Sequence, residues 1–156
     1  MLVTRARCVG ALVALAATAA TARAERLSFE IGGGGGAFAN ASASAQYGVA
    51  MSAGVGVATS RRLAIDLRST RTHERFLFIG PALQVFVNDR LFLGFGLGVA
   101  GANGAGPAID GRVGAALVPV GHGYLFGSFE ACAAATIDGD SDSARAATLL
   151  FGYRAR

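Results

Sequence analysis

Few side chains in this sequence have the means to do chemistry. His122, Ser128 and Glu130 supply an imidazole, a hydroxyl and a carboxylate on one parity of a strand-like run. At about 3.3 Å per residue, however, His122 and Ser128 would stand roughly 20 Å apart, far beyond the hydrogen bond through which a base activates a nucleophile. His73, between Thr72 and Glu74, reads as a surface imidazole. Asp138, Asp140 and Asp142 repeat the D-x-D-x-D spacing that lets alternate carboxylates converge on a hard cation. The sixth position of that pattern is Ser143 instead of Gly, and the twelfth is Leu149 instead of Glu. These three acids are thus a weak divalent-metal candidate, and a solvated turn is the default. Gly32 to Gly36 has no Lys-Ser/Thr after it and no helix to present amides to a phosphate, so it reads as a flexible or bulged stretch of strand. Cys132, among alanines, reads as a small buried hydrophobe. The sequence assigns no catalytic residue and no cofactor.

The elements that carry these residues are bounded by composition. The chain has 156 residues, 53% hydrophobic and 15% charged, the size of one small domain. Its net charge of +4 is misleading, because three of the 14 basic residues (Arg5, Arg7, Arg23) lie in the first 24 positions and all ten acids lie beyond them, leaving 11 Arg against ten acids. No basic run exceeds Arg61-Arg62, so nucleic acid is excluded as a partner. Arg5 and Arg7, the uncharged run Cys8 to Ala22, and Ala22-Arg23-Ala24 form the three parts of a cleavable secretory signal. We therefore expect a signal peptide over 1–24 and a mature domain over 25–156. Cys8 falls in the signal, which leaves Cys132 without an internal disulfide partner.

Ile31 to Ser60, Leu91 to Ile109 and Val113 to Phe129 carry no charge, as membrane helices would. Their glycines exclude helix, each costing about 1 kcal/mol relative to Ala. Leu91, Leu93, Phe95, Leu97 and Val99 instead alternate with Phe92, Gly94, Gly96, Gly98 and Ala100, and the same period of two runs from Tyr47 to Ala58. The pattern predicts eight strands near 26–38, 44–58, 62–69, 75–87, 91–100, 109–119, 124–137 and 144–154. The second, fourth and sixth connections are tight, at 59–61, 88–90 and 121–123. Those at 69–74, 101–108 and 138–143 read as longer and more polar, whereas the first, 39–43, is short. Such sorting by parity suits an even-stranded membrane barrel with both termini on the short-turn side.

On the signal segment, the Gly-rich alternating strands and a last strand with Ala147, Leu149, Phe151 and Tyr153 on one face, the chain resembles the small outer-membrane β-barrel proteins of the OmpA-like and OmpX-like type. The resemblance implies an all-β fold, an eight-stranded antiparallel up-and-down transmembrane β-barrel. It also implies outer-membrane lipid as surroundings and the barrel-assembly machinery as a partner during insertion. The chain departs from the type by running on through Arg154-Ala155-Arg156.

With the bulky parity facing lipid, the opposite parity places Glu30, Asp66, Arg68, Gln84, Arg112 and Glu130 in the lumen, together with Phe76, Phe78, Phe86, Phe92, Tyr124 and Phe126. A sixth hairpin centred on Gly121 sets Arg112 opposite Glu130, and we expect a salt bridge between them. Eight strands enclose only enough room for side chains, which excludes a porin-like channel. The expected function is a non-catalytic envelope barrel, structural or surface-presenting, with mature termini in the periplasm and no ligand specified. The alternatives are a soluble barrel or sandwich binding an apolar ligand, favoured by a core of Phe76, Phe78, Phe126 and Leu150, and a lipid-modifying barrel enzyme.

Overall fold

The computed structural model describes residues 27–40, 44–73, 76–101, 105–135 and 143–155. Eight strands follow one another: β1 (Leu27–Asn40), β2 (Gln46–Ala58), β3 (Leu63–Thr72), β4 (Phe76–Phe86), β5 (Leu91–Gly101), β6 (Gly106–Val120), β7 (Gly123–Ala134) and β8 (Ala144–Ala155). Each pairs antiparallel with its sequence neighbour, and β1 pairs with β8 to close the barrel. No edge is left open, which satisfies every ladder without water and suits a hydrocarbon solvent.

β1 runs two residues past its expected end, to Asn40, and β3 and β6 depart furthest from the sequence pattern. β3 runs to Thr72, through what reads as a loop from Ser69, because Arg68, Thr70 and Thr72 continue the buried parity. Polar side chains that face a polar lumen have the same composition as a solvated turn. β6 likewise starts at Gly106, with Ala108 and Asp110 already turned inward. The tight turns do share one end with both strand termini. The length contrast fails, since the third connection spans only 73–75.

The turn chemistry is local. Asn88 Oδ1 accepts hydrogen bonds from the backbone N–H of Arg90 at 2.8 Å and of Leu91 at 2.7 Å, an Asx-type closure of the β4–β5 turn. Gly121 has φ +57°, the left-handed conformation the β6–β7 turn requires. A bulge at Leu117 shifts the β6–β7 register between Ala116 and Val118, so Leu117 and Val118, although adjacent, both face outward.

Gly32 to Gly36 is not bulged: each residue pairs in continuous register with both β2 and β8. Gly32, Gly34 and Gly36 make room. A Cβ at Gly36 would lie 2.7 Å from Thr72 Cγ2 and 2.8 Å from Thr148 Cγ2, and one at Gly32 would lie 2.9 Å from Ser52 Oγ. Gly80 and Gly98 serve a second close approach, between β4 and β5, where a Cβ on Gly98 would stand 2.8 Å from Gly80 Cα. Gly98→Val is therefore expected to lower stability by roughly 1–3 kcal/mol through forced separation of the strands. A urea titration of the folded barrel measures this, and an unchanged midpoint would refute the close-packed seam.

The pairing also sets the diameter. A circuit that leaves β1 at Phe29 passes through Val55, Leu67 and Pro81, crosses to Leu97, and continues through Ile109, Ala133 and Arg145. It returns to β1 at Ala39, ten residues on from Phe29. Eight strands with that stagger are steeply tilted and enclose a lumen that side chains fill.

The two faces of the wall have inverted polarity. Outward stand Ile31, Tyr47, Val49, Met51, Leu93, Phe95, Leu97, Val113, Phe129, Leu149 and Phe151, all exposed. Inward, two apolar clusters occupy opposite ends. Phe38, Phe76 and Phe78, with a ring of alanines and Cys132, lie toward the 73–75 and 102–105 connections. Ala64, Phe86, Phe92, Tyr124 and Phe126 lie toward the tight turns. Charged and polar side chains fill the space between.

Candidate functional site in the lumen

Arg154, at the end of β8, organises the larger of two ionic groups. Its Nη2 donates to Asp66 Oδ1 at 2.8 Å and to Ser28 Oγ at 3.0 Å. Its Nη1 donates to Asp66 Oδ2 at 3.0 Å, to Glu30 Oε2 at 3.2 Å, and to Gln84 Oε1. Arg112 Nη1 donates to the other oxygen of Glu30. One guanidinium thus ties β8 to β1, β3 and β4, and Glu30 extends the tie to β6. The planar fork of Arg suits this, because it offers several donors in fixed directions while staying charged. Arg112 also lies between two aromatic rings, its Cζ 5.2 Å from the centroid of Phe92 and 4.8 Å from that of Phe126. The ring faces attract the cation and exclude water from it.

A second group joins β3, β6 and β7. Arg68 Nη2 pairs with Asp110 Oδ2, and Arg68 Nε lies 3.9 Å from Glu130 Oε2. All seven charged residues of the two groups are buried. Opposite charges at such depth must be well matched, since the cost of leaving water exceeds what an imperfect pair returns.

The structure places the residues singled out by sequence as follows. Glu30, Asp66, Arg68, Gln84, Arg112 and Glu130 are all inward and buried. Arg112 does stand opposite Glu130 in the β6–β7 register, but the expected salt bridge between them does not form. Side chains on paired residues project side by side, and the long Arg112 reaches across the narrow lumen to Glu30 on β1 instead. Ser128 is buried, whereas His122 is exposed in the β6–β7 turn, so the two do not meet. His73 sits in the connection after β3 with φ 57°. Asp138, Asp140 and Asp142 lie outside the described residues. Among the described residues no three His, Cys, Asp or Glu side chains converge on a metal position.

Sequence reasoning missed Asp110, Arg154 and Ser28. Asp110 is two residues from Arg112 on the same parity, and was lost by starting the strand at its edge. Arg154 continues the inward series Thr148, Leu150, Gly152 of β8, but reads in sequence as a tail beyond the last aromatic.

An apolar exterior around a closed, charged interior is the reverse of a water-soluble barrel. The fold is that of small outer-membrane barrels. Neisserial surface protein A matches with a TM-score of 0.65 at 11% identity, over 83% of this chain and 96% of that one. Ail, the attachment invasion locus protein of Yersinia pestis, matches with a TM-score of 0.53 at 13% identity, over 83% of this chain and 99% of that one. No family model and no curated protein matches the sequence. At these identities the likeness is one of architecture. The transmembrane barrel accounts for the belt: its strands cross with apolar side chains toward lipid and ionic ones toward the lumen.

Proposed function

We propose that this chain is a non-catalytic integral protein of the outer membrane with a plugged lumen, which stiffens the envelope or displays its connections at the surface. The observation that carries this is the inverted polarity of the wall, apolar outside and ion-paired within. Export would use residues 1–24 as a cleaved signal, and insertion would use the barrel-assembly machinery. Both termini and the turns at 59–62, 87–90 and 121–122 would then face the periplasm. The connections at 41–45, 73–75, 102–105 and 135–143 would face outward. The guanidiniums of Arg68, Arg112 and Arg154 bridge the lumen and oppose a free aqueous path.

Fractionation with gel electrophoresis tests this reading. The expected result is recovery in the outer-membrane fraction, with a band that migrates differently before and after boiling because the closed barrel survives SDS. A soluble periplasmic protein with a single band would overturn it.

A further inference from the structure

The two rims of the barrel differ in charge. On the side of the strand termini, the connections 59–62, 87–90 and 121–122 carry Arg61, Arg62, Arg90 and His122 against one acid, Asp89, and all five residues are exposed. At the other rim the connections 41–45, 73–75, 102–105 and 135–143 carry Glu74, Asp138, Asp140 and Asp142 against Arg75 in sequence. Arg71 and Arg145 are exposed at the adjoining ends of β3 and β8, and with them counted the acids still outnumber the arginines there by four to three. The rim that holds the termini is therefore the cationic one.

The basic positions repeat along the rim. Arg62, Arg90 and His122 each stand immediately before an odd-numbered strand, β3, β5 and β7, and in sequence Arg26 stands before β1. Arg62 and Arg90 are set by equivalent contacts. The Arg62 N–H donates to Ser60 Oγ at 3.2 Å and the Arg90 N–H to Asn88 Oδ1 at 2.8 Å. The Arg62 carbonyl accepts from the Phe86 N–H at 2.8 Å, and the Arg90 carbonyl from the Ala116 N–H at 2.6 Å. Each backbone is thus pinned to its own turn and to the next strand, while no ion pair among the described residues takes up the guanidinium of Arg61, Arg62 or Arg90. Phe86 leads directly into the 87–90 turn, so the two arginine-bearing turns are neighbours.

We propose that this collar binds the headgroups of anionic phospholipids in the leaflet it faces, with Arg62 and Arg90 as the principal contacts. The proposal rests on the membrane reading above and adds the lipid class. Depth argues for lipid over any more distant partner. Val87 and Leu91 are exposed on either side of the Arg90 turn at the edge of the apolar belt, and connections of two to four residues keep their side chains at headgroup depth. Arginine suits the ligand, because its planar fork meets phosphate oxygens two at a time. His122 adds an imidazole N–H donor at the third place.

The test folds the chain into vesicles of phosphatidylcholine mixed with phosphatidylglycerol, extracts it in mild detergent, and counts the retained lipids by native mass spectrometry. Relative to the vesicle composition, phosphatidylglycerol is expected to be retained over phosphatidylcholine roughly fivefold for each arginine engaged, and high salt is expected to weaken the preference. Arg62→Gln with Arg90→Gln brings the ratio close to one, whereas Arg62→Lys with Arg90→Lys keeps most of it. Arg71→Gln with Arg145→Gln, at the other rim, leaves it unchanged. The heat-dependent gel shift checks that each variant is folded. An undiminished preference in the Arg62 and Arg90 glutamine pair overturns the proposal, as does an equal loss from the pair at the other rim. Co-sedimentation with peptidoglycan that depends on Arg62 and Arg90, without a lipid preference, overturns it in favour of an anionic polymer. A chain that enters no vesicle overturns the membrane reading and this proposal with it.

Discussion

Arg154→Met is expected to lower the stability of the folded barrel by about 3–5 kcal/mol, the penalty for leaving buried charge without its partner. Methionine fills much of the volume of the arginine stem, so the loss measures charge more than space. The guanidinium leaves behind both oxygens of Asp66, one of Glu30, the amide oxygen of Gln84 and the Ser28 hydroxyl. Glu30 still has Arg112, whereas Asp66 has no other ion-pair partner among the described residues. Arg154→Met with Asp66→Asn is therefore expected to recover most of the loss. Urea midpoints of the wild type and both variants, read by far-ultraviolet circular dichroism, decide the matter. Wild-type stability in Arg154→Met would mean that the lumenal network contributes little.

Leu97→Arg is expected to cost about 2–4 kcal/mol in a bilayer, whereas Val87→Arg, beside a tight turn, should cost about 0–1 kcal/mol. Leu97 lies near the middle of β5 and points outward at 55% exposure, and Val87 follows the last residue of β4 at 54%. Their exposures match, so a barrel in water would accept either change alike. In lipid the midplane arginine must leave the headgroups, and the rim arginine need not. Folded fractions after insertion into vesicles separate the cases. Equal values for the two variants would remove the membrane from the account of the outer face.

The strand alternation was legible because a closed wall between two unlike environments enforces it at every residue. Leu91 to Ala100 shows this without a break, and the inward places of Glu30, Asp66 and Arg112 follow from parity alone. Partner choice was not legible. Register fixes which Cα atoms oppose one another, but a long guanidinium in a narrow lumen selects among acids on several strands. Arg112 therefore answers to Glu30, 82 residues away in sequence, and not to the adjacent Glu130. The strand ends were hidden for a related reason, since Thr70, Thr72 and Asp110 have the composition of loops and the burial of a core.

The pairing of Phe29 with Ala155 joins the first strand of the barrel to the last. That contact joins nearly the two ends of the described chain, so its loop-closure entropy exceeds that of any hairpin in the barrel, and such high contact order favours slow folding. Until β8 docks, β1 and β7 each present an unpaired edge to any other strand. A chain that stops short of Ala144 would retain both edges permanently and act as a template for aggregation. The twelve residues of β8 thus decide whether the polypeptide becomes a solitary closed object or one link in an open-ended assembly.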